Sequence, residues 1–367
     1  MGRSRDLSEV ATAFDAGSLG YRNKIINGDM RIDQRNSGAS VSTSSGSAVY
    51  TLDRWNALYS QTNKFTVQQN AGSVTSAVGF KNYLGATSSS AYSVGATDFF
   101  SIRQLFEGFN TSDLEWGTAN AKSITVSFKV YSSLTGTFGG AIQNHNGTRS
   151  YPFSYTISSA NTWTDINVTI AGDTSGSWNG ATNGIGLQVM FSLGAGSTYS
   201  GTAGSWSTTQ YFTSTGATSV VGTSGATFYI TGVQLEVGET ATPFEHRPYG
   251  TELALCQRYC VVISGAGTTA ISSPVASGYC VGTTNFYVPY VFKVAPRTPP
   301  TGISVTNPTS FTCAFGAASN PSAINFTGGS FEGCFMQASI TGGTGGYGGV
   351  MYMNNTNAKI EITGMEL

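Results

Sequence analysis

Residues 228–260 read FYITGVQLEVGETATPFEHRPYGTELALCQRYC, and this segment closes one predicted β-domain and opens another. Apolar residues alternate at Phe228 and Ile230, and after Gly232 they resume in the opposite phase at Val233. A one-residue slip would turn the buried side chains outward, so this change of phase predicts an extra residue that bulges the strand.

A short ordered hinge follows that strand. Pro243, Pro248 and Gly250 interrupt regular structure, and residues 251–257 have room for at most two turns of helix before the next strand pattern. The sequence therefore predicts three parts: an N-terminal segment 1–22, a first β-sandwich 23–248 and a smaller second β-sandwich 249–367.

The composition indicates a folded protein with few charges. Of the 367 residues, 40% are hydrophobic and 12% aromatic, which argues against disorder, while only 10% are charged, against about 25% in ordinary soluble domains. The formal net charge is −1 and Lys and Arg do not cluster, so we expect no nucleic-acid partner. No apolar run approaches the length of a membrane span or signal peptide, which predicts synthesis in a cytosol without membrane insertion.

Strand patterns dominate the chain after its first residues. Apolar and polar residues alternate in 123–130, 166–170 and 185–191, and loops rich in Gly, Ser, Thr and Asn separate these runs. Short alternating strands with frequent turns are typical of antiparallel sandwiches and jelly rolls. We therefore predict an all-β protein with two antiparallel, jelly-roll-like β-sandwich domains in tandem and a short N-terminal helical segment.

That N-terminal segment has a helical pattern. Leu7, Val10, Ala11 and Phe14 fall on one helical face, and Gly17 ends the pattern. A single short amphipathic helix needs another surface to bury its apolar face. We interpret it as an attachment or trimerisation element, with a frayed terminus as the alternative.

The cysteines do not indicate disulfides or a zinc site. Their number is odd, and one CxxxC spacing lacks a second matching pair. Buried free thiols are the expected state. The five cysteines are Cys256, Cys260, Cys280, Cys313 and Cys334.

The sequence does not predict an enzyme. It contains two histidines and no HExxH, GxSxG or phosphate-cradling glycine loop. Asp98, Glu107, Asp113 and Glu115 lie close in sequence, and a glycosidase pair among them is one interpretation. The alternative is that they bind loop backbone or pair with Arg103.

Three aromatic residues are candidates for sugar binding. A pyranose stacks its C–H face on an aromatic ring and offers hydroxyls to nearby polar groups. Trp178 and Trp206 lie in polar glycine-rich loops, although a trimer interface would also bury them. Tyr347 stands between glycine pairs, where its ring either projects as a recognition tip or folds back onto the sheet.

The remaining tryptophans adjoin strand patterns. Trp55, Trp116 and Trp163 are therefore predicted to lie in the core, since large aromatic residues usually pack inward.

Five segments carry a resemblance to a known family. They are NKIINGDMRIDQR, YTLDRW, the run from 101 to 138, RSYPFSYTISSANTW and FYITGVQLEVGETATPFEHRPYGTELALCQRY. Together they resemble tail-fibre proteins of double-stranded DNA bacteriophages, over most of residues 1–260. The ends of the first domain, NGDM and FYITGVQLE, are also similar to the first and last strands of jelly-roll carbohydrate-binding modules.

The resemblance implies a homotrimeric virion component that recognises host-surface glycan, most simply a polysaccharide. Residues 1–22 would attach it to other tail or adaptor proteins, and it would reside in the virion tail after assembly in the bacterial host cytoplasm. The alternative is a structural virion protein, such as a head fibre, decoration or adaptor, without receptor binding.

The resemblance also raises the question of a structural calcium ion. In carbohydrate-binding modules of this kind an acidic residue in the last strand often helps to hold calcium, whereas Thr231 and Gly232 stand near that place here. Asp29 remains as a contributor. No other cofactor is expected.

Overall fold

The structure, a computed structural model, describes residues 21–44, 46–265 and 272–367. The predicted N-terminal segment 1–22 lies outside these residues except for its last two. The described chain forms two compact units that divide between Tyr249 and Gly250. Both units are rich in strands, and their large sheets are antiparallel, which confirms the all-β prediction.

The first unit is a sandwich of two six-stranded sheets, with orders β1-β4-β5-β14-β7-β10 and β2-β3-β6-β11-β8-β9. A small parallel pair, β12 and β13, lies apart from them. In chain order the strands are β1 (Val41–Ser42), β2 (Ala48–Tyr50), β3 (Trp55–Tyr59), β4 (Phe65–Gln69), β5 (Leu84–Ser88), β6 (Phe99–Glu107), β7 (Ile124–Ser132), β8 (Gly136–Asn144), β9 (Ser150–Ile157), β10 (Thr164–Ile170), β11 (Ile185–Ala195), β12 (Ser200–Gly201), β13 (Thr213–Ser214) and β14 (Thr227–Val237).

The predicted bulge lies in the closing strand β14. Its pairing with β7 shifts by one residue between Thr231 and Gln234, and Gly232 has a φ of 61°. The left-handed backbone at that residue favours glycine. The bulge keeps Ile230 and Val233 both in the core, which confirms the interpretation of the phase change.

Apolar side chains between the two sheets form the core of the first unit. Trp55, Phe138, Phe191 and Phe228 are fully buried there. Each such side chain contributes roughly 1.5–3 kcal/mol through its burial.

Residues 23–28 lie beside the second half of β14. Lys24 N donates to Leu235 O at 2.8 Å, and Val233 N donates to Gly28 O at 2.9 Å. The sequence KIINGDMRI predicts strand-type residues broken by a turn or bulge at 27–29, and the run is irregular there, with a φ of 59° at Asn27. Its hydrogen bonds nevertheless extend the first sheet along β14.

The second unit begins within helix α1 (Tyr249–Gln257), where the hinge was predicted to allow two turns. A three-stranded sheet of order β15-β24-β18 accompanies a seven-stranded sheet of order β20-β19-β23-β16-β17-β22-β21. The strands are β15 (Val261–Ser264), β16 (Ser273–Val281), β17 (Asn285–Val291), β18 (Gly302–Thr306), β19 (Phe311–Ala314), β20 (Ala318–Ser319), β21 (Ala323–Gly329), β22 (Gly333–Ser339), β23 (Gly348–Met353) and β24 (Lys359–Thr363).

The second core is smaller and contains sulfur-bearing side chains. Phe286, Val288 and Met336 are fully buried in it. All five cysteines are buried free thiols, as predicted. Burial raises the pKa of the Cys313 thiol to about 12, so it is protonated and unreactive near neutral pH.

Across the described ranges, no helix is long and apolar enough to cross a membrane. Short 3-10 turns complete the regular structure. These turns are Ala71–Ser73, Gly108–Asn110, Ser112–Leu114, Ser197–Tyr199 and Pro308–Ser310.

Candidate functional site

Three tryptophans of the first unit pack against one another at the rim of its core. The ring centroids of Trp116 and Trp178 are 4.7 Å apart, those of Trp116 and Trp206 are 5.3 Å apart, and those of Trp178 and Trp206 are 5.5 Å apart. All three pairs meet edge to face, an arrangement worth about 0.5–1.5 kcal/mol per pair beyond burial. The two tryptophans predicted as binding residues are therefore brought together.

A buried ion pair holds the loop that carries Trp178. Arg149 donates from Nε and Nη2 to the carboxylate of Asp173 at 2.7 and 2.6 Å, and the Asp173 side chain is 2% exposed. Trp178 Nε1 donates to Asp173 Oδ2 at 3.2 Å, and Ser175 N donates to Oδ1 at 3.1 Å. A buried carboxylate with this many donors fixes both the turn and the indole.

Trp206 is fixed by the same ion pair and by backbone. Its Nε1 donates to Ala171 O at 2.8 Å. The Arg149 guanidinium lies 5.9 Å from the centre of its ring, within range of a cation–π interaction. Trp206 does not line the cleft described next. Its ring packs edge to face against the ring of Trp178.

A half-open cleft of about 350 Å³ lies in front of Trp116 and Trp178. Its volume is at the lower end of the range of roughly 300–1,000 Å³ for small-ligand pockets. The lining combines indole rings, hydroxyls, amides and one carboxylate, which is the set of groups that a sugar requires. The polar lining residues are Thr111, Ser112, Glu115, Thr118, Asn120 and Asn179.

Tyr347 lies in the other unit, so the structure does not bring it to this cleft. Its ring is 54% exposed, and backbone bonds hold its loop: Tyr347 N donates to Thr344 O, and Cys280 N donates to Tyr347 O. The ring also lies close to Gly316, between β19 and β20, where an added Cβ would be 3.6 Å from Tyr347 Cδ2, so the side chain is half-exposed and in contact with its own unit.

The core prediction is correct for two tryptophans and wrong for the third. Trp55 and Trp116 lie in the inter-sheet core. Trp163 is partly buried on the outer face of the first sheet, where its ring contacts Tyr83 and Tyr131 and its Nε1 donates to Thr75 O. It directly precedes β10, on the side of that strand which faces away from the core.

The acidic residues named from the sequence have structural partners. Asp98 accepts hydrogen bonds from the Ser60 and Tyr92 hydroxyls and from the Gly95 N–H, so it binds loop backbone as predicted. Glu107 is buried, with 1% of its surface exposed. The predicted alternative partner, Arg103, does not pair with them.

Arg103 instead binds amide oxygens across the second sheet. Its Nε donates to Asn56 Oδ1 at 3.1 Å and its Nη1 to Gln188 Oε1 at 2.9 Å. Burial lowers the pKa of the Arg103 guanidinium. The other two acidic residues bind lysines, with Asp113 2.7 Å from Lys24 Nζ and Glu115 3.7 Å from Lys122 Nζ.

The residues proposed for calcium do not fit a calcium site. Arg31 Nε lies 2.9 Å from Asp29 Oδ2, so a cation already neutralises that carboxylate. Burial raises the pKa of the Asp29 carboxyl, an effect that Arg31 offsets only in part. Thr231 donates its hydroxyl to Asn82 O. In the part of the chain that the structure describes, no three His, Cys, Asp or Glu side chains are grouped to hold a metal ion.

Sequence reasoning missed Asp173 and Arg149, which organise the site. The available signal was local: an aspartate two residues before a serine in a glycine-rich loop is a common way to begin a turn. The arginine is 24 residues away, and pattern alone does not connect the two.

Comparisons with known proteins give a distant likeness in fold. No protein family matches the chain, and no curated protein matches it. Among solved structures, the enzymatically active domain of bacteriophage CBA120 tailspike protein 4 is 11% identical, covers 59% of this chain and has a TM-score of 0.33. This chain spans only 22% of that tailspike structure.

Two carbohydrate-binding proteins are similarly distant. TmCBM61, solved in complex with β-1,4-galactotriose, is 9% identical, covers 59% of this chain and 99% of its own, and has a TM-score of 0.30. The family 11 carbohydrate-binding module of a Clostridium thermocellum cellulosomal cellulase is 11% identical, covers 56% and 98%, and has a TM-score of 0.25. At these values the likeness identifies neither a ligand nor a partner of this chain.

Proposed function

We propose that the protein is a homotrimeric bacteriophage tail-fibre protein that binds host-surface glycan in the cleft beside Trp178. Residues 1–22 attach it to other tail or adaptor proteins, and its place is the virion tail. It acts by binding rather than by catalysis.

The cleft is the observation that carries the binding proposal. An indole held rigid by Asp173 faces a concave surface with the hydroxyls of Thr111 and Thr118 and the amides of Asn120 and Asn179. Because Trp178 is fixed before any ligand arrives, stacking a sugar on it costs little side-chain entropy.

The tail-fibre part of the proposal is supported by sequence. It rests on the resemblance of the NKIINGDMRIDQR, YTLDRW and FYITGVQLE segments and on a surface that is poor in charge. Such a surface offers hydroxyls and amides, which match uncharged sugars.

The test is binding of labelled protein to a panel of bacterial strains, before and after periodate oxidation of their surface sugars. We expect binding to at least one strain, loss on oxidation, and a loss of at least ten-fold with Trp178→Ala. Phe331→Ala is the control, since it removes an exposed aromatic ring of the second unit, which contributes to neither proposed site, and it should retain binding.

Sedimentation velocity accompanies that test and should give a trimer. A stable trimer that binds no strain would contradict glycan recognition and favour the structural virion protein. Binding that survives both oxidation and Trp178→Ala would place the receptor contact elsewhere, on a ligand other than glycan.

A further inference from the structure

A second cavity, distinct from the tryptophan cleft, lies on the outer face of the first sheet. It is an open groove of about 560 Å³. Its floor is formed by outward side chains of β7 and β10, with Ser127 opposite Asn167 and Lys129 opposite Asp165 in the strand register. Lys129 and Asp165 form an ion pair, in which the Asp165 side chain is 73% exposed.

Aromatic side chains from two loops form one wall of this groove. The ring centroids of Phe80 and Phe244 are 5.1 Å apart, and His246 lies 5.5 Å from Phe80 and 4.9 Å from Phe244. Phe80 and Phe244 are partly buried and His246 is exposed, and the three rings pack against one another. The groove thus has a rigid aromatic wall beside a polar floor.

The bulge in β14 makes room for that wall. A Cβ at Gly232 would stand 2.6 Å from Phe80 Cζ, closer than any real contact. The glycine that keeps the strand in register therefore also lets the Phe80 ring lie directly on the strand. The closing strand and the groove wall depend on the same residue.

We propose that this groove is a second carbohydrate-binding site and that it takes an uncharged oligosaccharide. Lys129 and Asp165 neutralise each other, so the floor favours neither an anionic nor a cationic ligand. A sugar hydroxyl can accept from the ammonium while a neighbouring hydroxyl donates to the carboxylate, and Asn167 offers both a donor and an acceptor. The C–H face of the sugar packs against Phe80 and Phe244.

The same features disfavour a protein partner in the groove. Cores of protein interfaces are depleted in charged residues, whereas an exposed ion pair occupies the centre of this floor. Desolvating it beneath a packed protein surface would cost free energy. Hydroxyl groups replace the lost water directly, so a glycan is the ligand that fits. This inference rests on the proposed function, since both sites would serve glycan recognition by one sandwich.

The test is mobility of the full chain in native gels that contain dextran, laminarin or galactan, with polygalacturonate as an acidic counterpart. We expect at least one neutral polysaccharide to retard the wild type. Phe80→Ala combined with Asn167→Ala should weaken that retardation at least five-fold. Asn167→Ala alone, an exposed change that leaves packing intact, should weaken it two- to three-fold.

The matched control is Phe331→Ala with Asn325→Ala, a pair of exposed residues in the second unit, which should leave mobility unchanged. Full retardation of both groove variants, with Trp178→Ala impaired, would overturn this inference and leave the proposed function standing. Retardation by polygalacturonate alone would overturn the uncharged ligand. A groove variant that dissociates the oligomer without changing retardation would assign the groove to a protein interface.

If no neutral polysaccharide retards the wild type, the inference also fails. The proposed function is then tested separately, by comparing binding to cells before and after periodate oxidation.

Discussion

The tryptophan loops of the first unit and the tyrosine loop of the second differ in how they are held. Both are rich in glycine and carry an aromatic residue predicted to bind sugar. Asp173 is the buried partner of both Arg149 and Trp178, so side chains fix the tryptophan loop. The hydrogen bonds of Tyr347 are made by its backbone, and its side chain is left half-exposed.

An aromatic residue in a glycine-rich loop is therefore not sufficient for a binding site. A rigid ring beside a concave polar surface loses little entropy when a ligand stacks on it, whereas an untethered ring must first be ordered. The buried ion pair is what separates the two cases.

The largest expected effect comes from removing that ion pair. Asp173→Ala leaves the Arg149 guanidinium without its partner and releases the Trp178 indole, so we expect the free energy of unfolding of the first unit to fall by about 3 kcal/mol. Urea denaturation followed by tryptophan fluorescence measures this change. Asp165→Ala breaks an exposed ion pair and should cost at most about 0.5 kcal/mol. Equal losses in the two variants would show that the buried ion pair stabilises the tryptophan loop no more than an exposed ion pair stabilises a strand surface.

One glycine in each loop allows the tryptophan loop and the tyrosine loop to be compared at similar backbone φ. Gly176 and Gly346 both have positive φ, but a Cβ at Gly176 would lie 2.5 Å from Arg149 Cγ, whereas one at Gly346 meets no atom within 4 Å. We expect Gly176→Ala to cost about 2 kcal/mol and Gly346→Ala about 1 kcal/mol, since both pay for the left-handed backbone. Chemical denaturation of the two variants checks the difference. A larger cost at Gly346 would show that the tyrosine loop is the more constrained.

Asp98 tests whether buried carboxylates tether other loops of the first unit. Burial opposes its ionisation, but hydrogen bonds from the Gly95 N–H and from Tyr92 and Ser60 hold the pKa of Asp98 below its usual value. The folded pKa is thus below the unfolded one, so this stabilisation is present above about pH 4 and is lost as the pH falls through the folded value. Asp98→Asn should flatten the fall of the urea midpoint between about pH 5 and pH 2. An unchanged pH profile would contradict the tether.

The smallest effect is expected at the tyrosine loop. Tyr347→Ala removes a half-exposed ring, so we expect the unfolding free energy to change by at most about 0.5 kcal/mol. Binding of the Tyr347→Ala protein to cells should fall by less than two-fold in the same cell-binding assay that is used for Trp178→Ala. A ten-fold loss would make Tyr347 a binding residue in its own right and reverse the comparison.

Much of the fold could be predicted because it depends on local pattern. Alternation located the strands, and the change of phase at Gly232 located the bulge, since burial of one strand face constrains each residue in turn. The turn signal at 27–29 is local and was found. The pairing of residues 23–28 with β14 was not, because its hydrogen bonds join residues more than 200 positions apart.

The site was less accessible to sequence reasoning for the same reason. Trp178 and Trp206 were found from their polar glycine-rich surroundings, but their contact with Trp116 is tertiary. The prediction of a core position for Trp163 was wrong because a residue next to a strand end can point to either face of the sheet, and the sequence does not specify which. The groove wall was missed entirely, since Phe80 and Phe244 lie in unrelated loops.

The pairing of residues 23–28 with the far end of the first unit has a consequence for biosynthesis. Arg247 donates to Ile25 O across 222 residues of chain. Almost the whole unit must therefore leave the ribosome before residues 23–28 can form these hydrogen bonds. At 5–20 residues per second this delay is on the order of 10 to 40 seconds.

During that interval β5 and β7 are already synthesised, while β14, which lies between them in the first sheet, is not yet available. Unpaired strand edges with few charges are prone to join other nascent chains. Yield of this protein should therefore depend on how fast it is translated and on chaperones that shield the waiting strands, more than on the stability of the finished sandwich.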